Sequence, residues 1–344
     1  MGTNSRCADD FQFGSGIAPY VIAEMNTSHF GDLTIAREMI QAAKEAGCSC
    51  VKFQSWSPES IFSRKYLREN RVAARMYEKF SISSADLSDL AAYAETVGIS
   101  FSSTPYSQSE VDVLAKIESV PFIKISSMEI NNHAFIRYIA LSGKPIVLST
   151  GMSTISEIQE AVKVIYEAGQ TDLCILHCTS LYPTGPAEVN LLNIRLLSDR
   201  FPEAEIGFSD HTLGSTAAVA AVALGATVLE KHFTLDSDRL GMDNHMASGP
   251  EVMKQLVQDC ADARVMLGSY ERNVSEQEQL QSMQMRRSIV TTRSISSGEV
   301  IEERDLMARR PGTGMPPNLI GSLLGKHAAR DLEDGVVVAA SDFN

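Results

Sequence analysis

Two histidines, His211 in SDHT and His232 in EKHF, close two short β-branched runs of this 344-residue chain. If those runs are neighbouring strands, the imidazoles converge. Imidazole suits first-row divalent ions, and a site with only two protein ligands leaves positions for water and a substrate oxygen, as Lewis-acid chemistry requires. Asp243, in the loop that follows, can place a carboxylate near the same ion or accept from a sugar hydroxyl. Lys52 and Lys124 end two other runs. A lysine facing a concave site costs free energy unless an anion neutralises it, so this pair predicts a phosphate or carboxylate ligand. Thr104, Ser127, Ser149 and Ser209 end further runs. Their hydroxyls together can satisfy the oxygens of a small phosphorylated acid. Glu24, followed by Asn26 and His29, is placed to act as a general base or to accept from sugar hydroxyls.

The elements that must position these residues alternate between strand and helix. The β-like runs are YVIAEM from Tyr20, CSCVKFQ from Cys48, ISFSSTP from Ile99, FIKISS from Phe122, PIVLST from Pro145, LCILHCT from Leu173, EIGFSD from Glu205 and TVLEKHF from Thr227. Between them lie amphipathic stretches such as DLTIAREMIQAAKEAG, with Asp32 as N-cap and Gly47 as stop, and SADLSDLAAYAETVG, ending at Gly98. Each is long enough for one crossover helix. Strand then helix, eight times over about 250 residues, fits a (β/α)8 TIM barrel better than a doubly wound sheet, which shares the local pattern. Polar groups at every run end decide for the barrel, whose chemistry sits at that face. From about Ser275 the composition changes, and SEQEQLQSMQM reads as a connector with little to bury. The expected division is a barrel domain over 1–274, a linker over 275–285 and a small, mostly β domain over 286–344, punctuated by SG, PGTG and DG turns. So small a unit has a poor core-to-surface ratio and is expected to dock on something.

Lys plus Arg at 30 against Asp plus Glu at 43 gives −13, a balance that repels nucleic acid and anionic membranes at long range. Any anionic ligand must therefore be held by local cations. The six cysteines, Cys7, Cys48, Cys50, Cys174, Cys178 and Cys260, lack CxxC spacing and read as reduced, mostly apolar-packed thiols. No apolar run approaches the roughly 18 residues of a membrane span, and the polar start has no signal segment, so a cytoplasmic location is expected. GxxxxGK[ST], GxGxxG and GxSxG are all missing, which removes the handles for nucleotide and serine-hydrolase chemistry.

The ordered motifs IAEMN, VKFQ, SSTP, KISSMEINN, GKPIVLSTGM, HCTSLYPT, GFSDHT and VALGATVLEKHFTLD resemble the sialic acid (nonulosonate) synthases over nearly the whole chain. The tail, with RRSIV, ARRPGTG and GKHAARDLEDG, resembles that family's antifreeze-like (SAF) domain. The resemblance implies a transferase that condenses phosphoenolpyruvate with an N-acylated hexosamine to a nine-carbon 2-keto acid and phosphate. It implies a divalent metal on His211 and His232, manganese first with magnesium or cobalt as alternatives. Phosphoenolpyruvate would be held by Lys52, Gln54, Thr104, Lys124, Ser127, Ser149 and Ser209, and the sugar would meet Glu24, Ser180, Tyr182 and Asp243. Arg310 would come from the antifreeze-like domain of the other subunit in a domain-swapped homodimer. This chain has HCTS where the N-acetylneuraminate synthases commonly have HCTN, so Ser180 replaces a sugar-contacting asparagine. GMDNHMAS also departs from the usual GPD pattern while keeping Asp243 in register. Legionaminic, pseudaminic or deaminated sialic acid is the alternative product. Competing readings are a Schiff-base aldolase on Lys52 or Lys124 and a non-catalytic carbohydrate- or ice-binding protein.

Overall fold

The computed structural model describes residue 13 and residues 18–344; Cys7 lies outside the described residues. All eight expected runs form strands: β1 (Tyr20–Glu24), β2 (Cys50–Ser55), β3 (Ser100–Pro105), β4 (Ile123–Ile125), β5 (Ile146–Ser149), β6 (Leu173–Cys178), β7 (Glu205–Asp210) and β8 (Val228–His232). They make one parallel sheet in which β8 returns to pair with β1, from Tyr20 opposite Val228 to Glu24 opposite His232. At the seam between β3 and β4, Ser102 Oγ donates to Phe122 O at 2.8 Å. The result is a nearly closed TIM barrel.

Period-2 alternation divides each strand between two cores. Ile22, Cys50, Phe122, Val147, Cys174, Leu176 and Val228 point inward and fill the barrel together with Phe13. Val21, Val51, Phe101, Ile123, Ile175, Phe208 and Leu229 point outward into the layer beneath the helices. Full burial of each large apolar side chain stabilises by roughly 1.5–3 kcal/mol, which fixes the register that faces the polar residues into the barrel.

The helices start and stop as their sequences require. Leu33–Glu45 is capped by Asp32, whose Oδ1 accepts from Thr34 N at 2.8 Å, and it buries Ala36, Met39, Ile40 and Ala43 at helical spacing. Ser84–Val97 ends at Gly98, where φ is 78°. Between β2 and β3 the expected single crossover helix is preceded by three more, Pro58–Ile61, Arg64–Glu69 and Arg71–Phe80. Ser57 and Ser63 cap the first two, and only Phe80 of the three is buried.

Two compact units result, one running to Gly268 and the other Ser269–Asn344, so the division falls ahead of residue 274. Residues 275–285, expected as a connector, carry the helix Glu276–Met285, capped by Ser275 and with no buried residue. The second unit pairs β9 (Ser288–Thr291) antiparallel with β10 (Leu306–Arg309) over a small core of Ile289, Ile295, Ile301, Leu306, Leu332 and Val338. Buried Asp305 and Asp342 tie its loops through Arg293 and Arg330, each at 2.8 Å. Among the described residues, no helix is long and apolar enough to cross a membrane.

Candidate active site

The inward positions at the carboxyl ends of the strands form a polar layer above the apolar filling. Register places Glu24 between Lys52 and His232, Gln54 opposite Thr104, and Ser209 between Cys178 and Glu230. Lys52 forms an ion pair with Glu24 and donates to Thr104 Oγ1 at 3.0 Å. Glu24 Oε1 also accepts from Gln54 Nε2 at 2.9 Å and from the Asn26 amide at 3.0 Å. Tyr106 OH donates to Gln54 Oε1 at 3.1 Å.

Glu230 is the residue that sequence reasoning missed. Lys124 Nζ reaches both its oxygens, at 2.8 and 2.9 Å, Ser209 Oγ donates to Oε1 at 3.1 Å, and Lys52 Nζ stands 3.7 Å from Oε2. Glu24 and Glu230 already neutralise the two lysines, so their burial does not by itself call for a ligand anion. The signal was present in EKH: residues two apart on a strand share a face, so Glu230 faces inward wherever His232 does.

Burial sets the protonation of this layer, and the neighbouring charges oppose or reinforce it. It pushes the Glu24 carboxyl up, against the pull of Lys52. Burial pushes Glu230 up as well, but Lys124 and Lys52 outweigh it and hold the group down at about 2. Desolvation draws Lys124 below the usual lysine range, whereas Glu230 and Glu24 overcome the same effect at Lys52 and raise it. Ser149 Oγ is buried with no hydrogen-bond partner among the described residues. That is an open hydroxyl on the same inward face.

The two histidines do meet, with ring centroids 5.3 Å apart and planes at 77°. The Tyr182 ring lies 4.3 Å from His211 and 5.9 Å from His232. His211 Nδ1 is 2.8 Å from Thr179 O, so that nitrogen carries a proton and Nε2 is the one left to face a ligand; burial draws the group down, but Cys178, the Thr179 carbonyl and Glu230 outweigh it and raise it. A backbone carbonyl fixing the tautomer in this way is what a metal-ligating imidazole commonly has. Burial holds His232 well below its ordinary range, in the neutral form a ligand needs. The pair therefore fits a divalent ion with open positions. Among the described residues, no group of three or more His, Cys, Asp or Glu side chains is arranged to hold one.

Asn26 Nδ2 donates to Asp243 Oδ2, tying that carboxylate to the loop after β1. Ser127 Oγ accepts from Gly151 N at 2.9 Å. A Cβ at Gly151 would collide with Ser180 Oγ and come within 2.9 Å of Ser127 Oγ and 3.3 Å of Cys178 Sγ, so these side chains share one corner. The first unit thus gathers the expected site residues other than Arg310. Arg310 belongs to the second unit, is exposed, and donates from Nε to Met285 O at 3.1 Å.

Comparison with known proteins bears on what the arrangement is for. Residues 39–272 match the NeuB family and residues 286–344 the SAF domain. An N,N'-diacetyllegionaminic acid synthase of Legionella pneumophila is 35% identical, over 98% of each chain. The human N-acetylneuraminate-9-phosphate synthase is 33% identical, over 92% of this chain and 90% of its own. The crystal structure of an N-acetylneuraminic acid synthetase from Leptospira borgpetersenii superposes with a TM-score of 0.72 at 30% identity, covering 77% of this chain and 90% of that one.

Proposed function

The chain belongs to the NeuB family, and from that premise we propose that it condenses phosphoenolpyruvate with an N-acylated hexosamine, N-acetylmannosamine or a related sugar. The products are a nine-carbon 2-keto sugar acid and phosphate. The observation that carries this reading is the inward polar layer, in which Lys52, Lys124 and the unpartnered Ser149 hydroxyl stand beside two imidazoles.

In this reading Lys52 and Lys124 turn part of their pairing from Glu24 and Glu230 to the phosphate and carboxylate oxygens of phosphoenolpyruvate. Gln54, Thr104, Ser127, Ser149 and Ser209 complete its hydrogen bonds. Carbon 3 of phosphoenolpyruvate bonds to carbon 1 of the open-chain sugar, water adds at carbon 2, and phosphate leaves. The lysines neutralise the charge that departs with it. Glu24, its carboxyl lifted by burial, holds or moves a proton at the sugar end. A divalent ion on His211 and His232, manganese first with magnesium or cobalt as alternatives, supplies Lewis-acid polarisation of the aldehyde oxygen when bound. Tyr182, Ser180 and Asp243 position the sugar. Arg310 reaches it from the second unit of a partner subunit in a homodimer.

A diacetamido acceptor leading to a legionaminic-type product is the second reading. The name of the Legionella relative favours it, and Ser180 in place of asparagine leaves the choice of sugar open. The test is phosphate release from phosphoenolpyruvate with Mn²⁺ and a panel of N-acetylmannosamine, its 6-phosphate, mannose and 2,4-diacetamido-trideoxyhexoses. Release that requires one N-acylated sugar supports the proposal and names the acceptor. No release with any of them overturns it.

A further inference from the structure

Each site histidine is preceded by a charged residue, Asp210 before His211 and Lys231 before His232. Alternation turns the histidines inward and these neighbours to the outer wall of the barrel. There they are register partners. Lys231 Nζ lies 2.7 Å from Asp210 Oδ2, with the two residues only 2% and 1% exposed. The same ammonium donates to Thr212 O at 2.5 Å, and Asp210 Oδ1 accepts from Thr212 N at 2.8 Å. One lysine therefore holds both residues that flank His211.

The two histidines differ in how their backbones are fixed. His232 is inside β8 and paired in register with Glu24. His211 lies one residue beyond the last β7–β8 partners. Its carbonyl accepts from Thr184 N at 2.9 Å, which anchors it to a loop and not to the sheet. The spacing of the two imidazoles therefore depends on contacts made outside the ladder. A buried ion pair is seldom needed for stability, since apolar residues of similar volume often serve as well, so this one calls for another role.

We infer that Lys231 is a positioning residue: its clip on Asp210 and Thr212, made on the outer wall, sets the separation and angle of His211 and His232. In doing so it sets how tightly and in what geometry they hold a divalent ion. The inference rests on the reading of these histidines as metal ligands.

The test uses the full-length protein stripped of metal and titrated calorimetrically with Mn²⁺ alone, with the visible spectrum of the Co²⁺ form as a report on ligand geometry. Two variants are compared with the parent, Asp210→Leu combined with Lys231→Met, and Asp210→Asn. The expected result is a cooperative melt for the apolar pair, Mn²⁺ affinity lower by about 10- to 100-fold, and a changed Co²⁺ spectrum. Asp210→Asn, which keeps the acceptor for Thr212 N, is expected to lose less. Parent protein that binds no Mn²⁺ removes the metal reading and this inference with it. Folded variants that bind like the parent with its spectrum overturn the clip alone and leave the metal reading standing. Failure of both variants to fold makes the pair a folding element and also overturns the inference.

Discussion

Lys124 and Glu230 show how much one pair of residues determines here. Lys124→Ala removes a charge-assisted bond worth about 1.5–3 kcal/mol, so the KM for phosphoenolpyruvate is expected to rise by roughly 10- to 100-fold while that for the sugar changes little. Steady-state kinetics with each substrate varied in turn would show this. An unchanged phosphoenolpyruvate KM would mean that the anion site lies elsewhere. Glu230 carries a pH signature as well. Its carboxyl stands at about 2 against an ordinary 4.5, so its contribution to stability is complete above about 4.5 and is lost as the pH falls toward 2. Glu24 has the opposite sign, because a raised carboxyl contributes most where it is protonated and loses that contribution as the pH rises through its shifted value. Glu230→Gln should cost about 3–5 kcal/mol at neutral pH by stranding Lys124, and should flatten the acid limb of stability below pH 4.5. Denaturant unfolding at a series of pH values would read both, and an unaltered acid limb would remove Glu230 from the network.

Strands and loops carry constraints that no single polar residue reveals. Gly207 occupies an inward position on β7 where a Cβ would collide with Val228 O and Leu176 Cδ2. Its need for glycine is therefore steric crowding inside the barrel. Gly207→Ala should cost roughly 1–3 kcal/mol, as overpacking usually does, and should push β7 away from β8. A melting temperature equal to the parent's would show that the barrel yields there. The eight strands were legible because each couples β-branched residues to a polar end, and the caps at Asp32 and Gly98 were legible because capping is local chemistry. Of the three extra helices before Ser84, Pro58–Ile61 and Arg64–Glu69 are too short to show a helical period, whereas Arg71–Phe80 is amphipathic and its pattern was there to be read although it buries only Phe80. The Lys124–Glu230 contact spans 106 residues. Two residue types at that separation say nothing about which opposite charge they will meet; only the curvature of the nearly closed sheet brings them together. Glu230 could still have been placed by carrying the alternation back two residues from His232.

At the scale of the whole molecule, the open question is what Arg310 serves. The chain carries a net charge of −13, so an anionic substrate depends on the few cations placed for it. Arg310 is an exposed cation in a second unit whose core is small, and the proposed homodimer gives it a site on the partner. Complementation tests this directly. Arg310→Ala chains and Glu24→Ala chains are each expected to be nearly inactive alone, because every site lacks one of the two residues. After random exchange of subunits, about half of the dimers are mixed, and each mixed dimer contains one site with both residues intact, so about a quarter of all sites should regain activity. Arg310 acting within its own chain predicts no such recovery: every site would then still lack either Arg310 or Glu24. Exchange is verified by differential mass labelling, so that mixed dimers lacking activity count against the arrangement and not against the mixing. A parent protein that sediments as a monomer at full activity would likewise exclude a contribution in trans and return Arg310 to its own chain.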